Sequence, residues 1–502
     1  MPIEPQGGTR PLSPATLILG GIASVLFVAA LVTPADADLW GHLVFGRDII
    51  RTGHVVLADV YSFSSDRAWT NHEWLAEVIF FAVYRNAGTG GLIGLKLAII
   101  TALMLVLWRY LRMLGVRGTP AALTLGLAFV STYWRTHNVR PQLFSVLLFG
   151  ILLTIFMRTA HGRWRSLLLV PPVMALWANL HGGWIVGSAA IIAWAGGESI
   201  SRDATPTTRW RVVAVAIAAL AATLLNPYGT GLWTFLAETV RLERSDTEDW
   251  SPLLSSPIAL GVPWLLALAA AVWAIRRRGW PGAFERLAIV GGLAFASLRV
   301  SRLDAFFGLG VVILLVAPAL APRQAASIPV RRRQRLPVLA IVAAMILAIA
   351  LPVGKLAASH ASCITISGSW APDPDAARFI AANQLQGRML TWYDWGQYAI
   401  WHFGPRVQVS IDGRRETVYS DATTQAHRRF YANKETGTSL VQQLEPDFIW
   451  LPASLPVISR LPVEGWTAIF SSPASVIFAR ASRDQFVQPE STPQMPRCFP
   501  GP

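Results

Sequence analysis

Between Pro34 and the second long apolar block, the sequence sets Asp36, Asp38, His42, Asp48, Asp59, Asp66, His72 and Glu73 against Arg47, Arg51 and Arg67. In Asp36-Ala37-Asp38 an extended backbone puts both carboxylates on one face, because side chains alternate with period two. A helix starting near Asp38 and running from Leu39 to about Ile50 instead brings His42 onto the face of Asp38, four residues on. Either geometry builds an acidic pocket. A carboxylate there could act as a general base on a hydroxyl, with Asp38 ahead of Asp36 because His42 could orient it. Asp36, Asp38 and His42 could equally hold an oxygen-preferring cation such as Mg or Mn. Capping of a helix is the ordinary task of such an Asp, but two acids and a His within seven residues exceed what a cap needs.

Cations that could face a departing phosphate come later. Arg135, His137 and Arg140 form one group, and Arg299 and Arg302 with Asp304 another; a guanidinium fork matches two phosphate oxygens. Ion pairing with the loop acids is the competing role for these arginines. A second tier comprises His72, Glu73, His181 beside Asn179, and Tyr228 in Asn226-Pro227-Tyr228, which could line an acceptor cleft; ordinary helix-end chemistry is the alternative.

The elements that must position these groups are set by composition. Of 502 residues, 53% are hydrophobic, only 14% are charged and 21 are tryptophan, against about a quarter charged in soluble domains. The apolar residues fall in blocks long enough to cross a bilayer, at about 15–33, 91–113, 119–135, 142–158, 166–180, 183–199, 211–226, 254–275, 284–298, 303–320 and 337–354. The reading is a mainly α protein, a polytopic transmembrane helical bundle of about eleven spans over 1–355, with a first external loop at 34–90. Arg10 before the first block resembles a signal peptide, but no small-residue cleavage site follows, so the block reads as an uncleaved span.

Net charge is +14, and all but three of the 43 cationic side chains are arginine. They cluster in turns at 109–117, 158–165, 202–211, 276–286 and 323–335. With the N-terminus in the cytoplasm, all five clusters fall on the cytoplasmic side, as the positive-inside rule requires. No basic stripe with interleaved aromatics lies outside these turns, which argues against nucleic acid as a partner.

That topology puts 356–502 outside the cytoplasm. This tail reads as a small α/β domain: helical spacing at 375–384 and 439–444, strand-like runs at 388–392, 407–411 and 448–451, and a terminal hairpin from 466–470 and 475–479. Cys363 and Cys498 are the chain's two cysteines. In an oxidising compartment they would close the domain on itself, whereas a cytoplasmic tail would keep them as thiols. Asp394-Trp395-Gly396 and Asp412-Gly413-Arg414-Arg415 follow strands, at the edge where α/β domains bind ligands, although Asp-Gly after a strand is more often plain turn chemistry.

The runs Pro34-Ala35-Asp36-Ala37-Asp38-Leu39-Trp40-Gly41-His42, Asp59-Val60-Tyr61-Ser62-Phe63-Ser64 and Trp69-Thr70-Asn71-His72-Glu73-Trp74-Leu75 resemble bacterial multi-spanning proteins of the glycosyltransferase C superfamily, in an uncharacterised branch. Arg140 to Ser145, Ala178 to Gly183, Leu225 to Gly229 and the two tail motifs carry the same resemblance. It implies a catalytic or metal-binding acid in the first external loop, here Asp36 or Asp38. It further implies a polyprenyl-linked sugar donor, an acceptor glycan, lipid or protein at the outer face, and residence in the bacterial inner membrane. The His72-Glu73 pair departs from the superfamily's pattern. The expected function is therefore a membrane glycosyltransferase using a polyprenyl-phosphate-type donor. A lipid-linked glycan flippase or transporter, or a non-catalytic assembly protein for envelope polysaccharide, are the alternatives. Coupled transport would call for acids in mid-span, and charges there are scarce.

Overall fold

A computed structural model of the chain describes residues 25–201, 205–241, 250–279, 284–322, 360–368, 370–489 and 497–501. The expected last span at 337–354 lies outside the described residues, as does most of the first, of which 25–31 is helical.

After the helical 25–31, the described residues of the N-terminal part form α1 Leu39–Thr52, α2 Trp74–Met113, α3 Thr119–Thr136, α4 Gln142–Ala160, α5 Val170–Leu180, α6 Trp184–Ile200, α7 Pro206–Ala222, α8 Gly231–Arg241, α9 Ile258–Arg278, α10 Phe284–Arg299 and α11 Ser301–Leu320. Among the described residues, α2, α4, α9 and α11 are long and apolar enough to cross a membrane on their own. Helix α4 carries no charge before Arg158 and is apolar all round, the pattern of a helix enclosed by others. Accordingly, 78% of its apolar window is buried, and 83% of that of α11, against 22% for α9. Helices α4 and α11 are thus the centre of the bundle, and α9 turns Leu265, Leu266 and Val272 outward.

Two elements differ from the expectation. Helix α2 begins at Trp74, seventeen residues before the expected span, and is broken at Gly88, whose φ of 58° is a left-handed conformation favoured by glycine. Its first segment carries Glu77 and Arg85, polar enough to read as loop. Helix α8 was not expected, because its eleven residues include Glu238 and Arg241 and are too short to span. Buried Lys96 of α2 donates to Val32 O, Thr33 Oγ1 and His137 O at 3.1, 2.7 and 2.8 Å. It thereby fixes the chain at Val32 and Thr33 against the end of α3.

The tail contains β1 Thr365–Ile366, α12 Pro374–Ala382, β2 Gly387–Thr391, α13 Gly396–Phe403, β3 Val407–Val409, α14 Asp421–Tyr431, α15 Leu440–Leu444, β4 Phe448–Pro452, β5 Thr467–Ser471, β6 Ser475–Ala479 and β7 Arg497–Cys498. Five strands form one sheet in the order β3-β2-β4-β6-β5. Strand β2 is parallel to both β3 and β4, with Leu390 opposite Ile449, while β5 and β6 form the expected antiparallel hairpin. Cys363 and Cys498 are joined in a disulfide next to the β1/β7 pair.

The segment between Pro34 and Trp69 is stitched into this tail. Pro34 bridges Thr365, and Ser62 bridges Val409 in parallel, so the loop covers the outer edge of β3. Phe63 N donates to Val409 O and Val409 N to Tyr61 O, each at 3.1 Å. An exposed edge strand is thereby satisfied, and the carboxyl ends of β2 and β3 are turned toward the bundle.

Candidate active site

A cavity of about 410 Å³ lies where the segment from Ala37 to Glu77, the bundle and the tail meet. Asp38 sits at its rim in the N-cap position of α1, yet its carboxylate makes no capping hydrogen bond. It faces Arg140 instead, with Nη2 at 3.2 Å. Asp36 takes the turn-forming role: its Oδ1 accepts from Asp38 N–H at 3.0 Å, and its Oδ2 from Arg140 Nε at 2.8 Å and Asn138 Nδ2 at 3.2 Å. Burial and the neighbouring Asp36 charge push the Asp38 carboxyl up to about 6, against the opposing pull of Arg140, His42 and Arg415. Asp38 is thus an ionised but weakly held carboxylate near neutral pH, the condition suited to a general base.

His42 N–H donates to Asp38 O at 3.0 Å, so the two residues share a helical turn. Its ring nevertheless turns to Glu77, with Nδ1 at 3.3 Å from Oε1, and Asn71 Nδ2 donates to the other Glu77 oxygen at 2.5 Å. Burial disfavours the imidazolium, but the bond to Glu77 and the charges of Glu73, Glu77 and Asp38 outweigh it and raise His42 to about 9. Asp36, Asp38 and His42 therefore do not converge as a metal-binding trio: the first two close on a guanidinium and the third pairs elsewhere. Among the described residues, no group of three or more His, Cys, Asp and Glu side chains is arranged to hold a metal ion.

Glu73 forms the opposite wall with His72 and His181, whose Nε2 atoms each lie 3.6 Å from its Oε1. Burial would raise Glu73, but the imidazoles of His72, His181 and His42 and the Arg302 guanidinium hold it below its ordinary value. His181 Nδ1 accepts from Gly183 N–H at 3.0 Å and lies 2.7 Å from the Ser145 hydroxyl, which itself accepts from Trp177 Nε1 at 2.6 Å. With Nδ1 an acceptor, the ring proton belongs on Nε2, directed at Glu73. Burial pushes His181 down to about 3, keeping it neutral. Tyr228 stands behind this wall: its hydroxyl accepts from Asn71 N at 2.8 Å and so fixes the turn carrying His72 and Glu73.

Of the expected cations, Arg140 and Arg302 line the cavity. Arg135 does not: it forms a buried ion pair with Asp304, Nε to Oδ1 at 2.9 Å. Arg299 packs over the Phe295 ring at 5.4 Å, away from the cavity. In both cases a local partner nearer than the cavity takes up the guanidinium.

The tail supplies the remaining wall through Tyr393, Asp394, Gln397 and residues 413–417. These motifs do more than turn the chain. A Cβ on Gly413 would overlap Asp38 Oδ1 and one on Gly41 would overlap Gln397 Oε1, so these two glycines permit the tail to press onto α1; one on Gly396 would overlap Ile411 O within the tail. Asp38 and Gln397 are thus brought together from residues far apart in sequence. The sequence carried a signal for this wall, two Asp-containing loops following successive parallel strands, but Glu77 and Gln397 bore none.

No family model matches the sequence, and no curated protein matches it. Solved structures do resemble it. The Archaeoglobus fulgidus oligosaccharyltransferase AglB, in complex with an inhibitory peptide and a dolichol-phosphate, matches with a TM-score of 0.57 and 10% identity over 86% of this chain and 69% of its own. ArnT from Cupriavidus metallidurans in the apo state matches at 0.55 and 13% identity over 94% and 99%. The mycobacterial arabinofuranosyltransferase AftD matches at 0.50 and 16% identity over 94% of this chain but 42% of its own. The chain therefore shares the fold of these solved proteins over most of its own length. Its apolar helices agree with a multi-pass membrane protein.

Proposed function

We propose that the chain is a membrane glycosyltransferase that moves a sugar from a polyprenyl-phosphate-type donor to an envelope acceptor at the outer face of the membrane. The observation that carries this reading is Asp38, placed at a helix cap it does not bond, raised toward neutrality and facing Arg140 across the cavity rim. Among its fold neighbours, ArnT has been seen bound to undecaprenyl phosphate and AglB to a dolichol-phosphate, the class of donor carrier proposed here.

In this mechanism Asp38 accepts the proton of the acceptor hydroxyl as that oxygen attacks the anomeric carbon. The bond from that carbon to the phosphate oxygen breaks, and the phosphate leaves with the electron pair. Arg140 and Arg302 stabilise the charge on the departing oxygen, Arg140 exchanging its contact with Asp38 for one with phosphate. Glu73, with His72 and His181, forms the acceptor side. The disulfide in the tail suits an oxidising compartment and so supports an extracytoplasmic active site. The test is release of free polyprenyl phosphate from a sugar-loaded lipid carrier by the purified full chain supplied with envelope acceptors. Turnover that disappears in Asp38→Asn is expected; its absence in the wild-type protein under all acceptors would favour an assembly protein.

A further inference from the structure

The tail presents two consecutive arginines, Arg414 and Arg415, at the cavity. Arg414 is enclosed. Its guanidinium donates to Asp59 at 2.6 and 3.0 Å and to Asp412 at 2.7 Å, and it lies 5.0, 5.3 and 4.9 Å from the ring centres of Phe45, Tyr61 and Trp69. Two carboxylates already neutralise it, so its role is to anchor. Arg415 follows on a left-handed backbone, φ 47°, which L residues with long side chains rarely adopt. The fold over-determines that conformation: Gly413 is pressed onto Asp38 on one side, and Val418 and Tyr419 donate their N–H groups to Arg415 O at 3.0 and 2.8 Å on the other. The left-handed turn brings the Arg415 guanidinium over the Tyr393 ring at 4.9 Å, on the cavity wall. Strained backbone held by its surroundings is a recurrent device for placing a functional side chain.

We propose that Arg415, carried by the tail and not by the membrane bundle, is a donor-binding residue that grips the phosphate group of the lipid carrier together with Arg140 and Arg302. This rests on the donor reading above. A planar guanidinium already stacked on an aromatic face loses little freedom when it engages two phosphate oxygens. Arg140 comes from the α3–α4 turn and Arg302 from the start of α11, so Arg415 would close the anion site from the side that the bundle leaves open. Its proximity lowers the carboxyls of Asp38 and Asp394 relative to what burial alone would impose, as a cation facing this cavity should. The consequence is an active site that is incomplete until the Asp59–Arg414 anchor has docked the tail.

The test is titration of the full chain in nanodiscs with undecaprenyl phosphate, alongside donor kinetics. Arg415→Gln should weaken carrier binding and raise the donor KM at least tenfold, with a smaller change in kcat and a cooperative unfolding transition retained. Arg415→Lys, which keeps the charge and loses the fork, should fall between Gln and wild type; a donor KM equal to wild type would overturn the assignment even if the Gln variant misfolds. Wild-type binding with an unaffected Arg415→Gln variant would overturn the role of Arg415 alone. No carrier binding by the wild-type protein would overturn the donor reading itself. With inorganic phosphate as the second probe, loss of its binding in Arg415→Gln while undecaprenyl phosphate binds normally would overturn the lipid-carrier assignment and leave a free-anion site.

Discussion

The start of the 34–90 segment, through Asp38, and its continuation from Asp48 carry the same residue types and put them to different uses. At the start, Asp38 faces the cavity and Asp36 braces it through Arg140. From Asp48 onward, every Asp of the segment is committed to structure. Asp48 accepts from Arg47 and from the Tyr61 hydroxyl, at 3.0 and 2.7 Å, Asp59 grips Arg414, and Asp66 accepts from the Ser420 backbone and side chain and the Thr423 hydroxyl at the start of α14. An acid-rich loop is therefore not in itself a catalytic loop. What separates the two stretches is whether the carboxylate's partners leave a face open to the cavity.

The contrast is most sharply tested by Asp38→Asn. Asparagine caps a helix nearly as well as aspartate, and the Asp38 carboxylate makes no capping bond, so stability should change by less than about 1 kcal/mol. Sugar transfer should fall about a hundredfold to ten-thousandfold, the usual contribution of a general base. Wild-type activity in this variant would return Asp38 to the class of Asp59.

The pH profile follows from the same group. Asp38 must be ionised to accept a proton, and its carboxyl is raised to about 6. The profile of kcat/KM should hold above that value and fall about tenfold per pH unit below it; a limb near 4 would point to an unburied carboxylate as the base.

Asp59→Ala tests the structural stretch. It leaves the buried Arg414 with Asp412 as its remaining acid partner of the two, and breaking a buried pair in this way costs about 3 kcal/mol. A lowered unfolding midpoint is expected, with activity lost only where the tail has undocked. A midpoint unchanged from wild type would show that the tail docks without this pair.

Smaller effects follow for the remaining acids. Asp36→Asn keeps an acceptor for the Asp38 N–H and loses a charge beside Arg140, so activity should fall by about tenfold, well short of the loss in Asp38→Asn. Asp66→Ala removes partly exposed hydrogen bonds to the start of α14 and should cost about 1 kcal/mol in unfolding with activity unchanged. Equal losses of activity across Asp36, Asp38, Asp59 and Asp66 would erase the distinction between the two stretches.

Much of the helical scaffold was legible because bilayer crossing imposes a run length: the described cores of α3, α4, α6, α9, α10 and α11 lie on the expected apolar blocks. The tail hairpin was legible from its strand-like runs. Helices α8, α13 and α14 were not, since short amphipathic segments leave a pattern that tertiary packing must complete. For the site, residue type brought attention to Asp36, Asp38, His42, Arg140, Arg302, Glu73 and His181, which the structure gathers in or beside one cavity. The same reasoning set Arg135 and Arg299 beside them, because hydropathy places a residue at a membrane face and says nothing of its lateral neighbours.

By itself, the sequence determined that this chain crosses a membrane, that its first loop concentrates carboxylates and that its tail is an α/β domain with a closable cysteine pair. These are properties of composition and short-range period. Only the tertiary structure decided which carboxylate faces the cavity. That choice depends on Gly413 lying on Asp38, on Arg140 reaching both Asp36 and Asp38, and on Arg414 locking Asp59 from more than three hundred residues away. Contacts at such separations have no periodicity to read, because the intervening chain fixes them only through the packing of the whole.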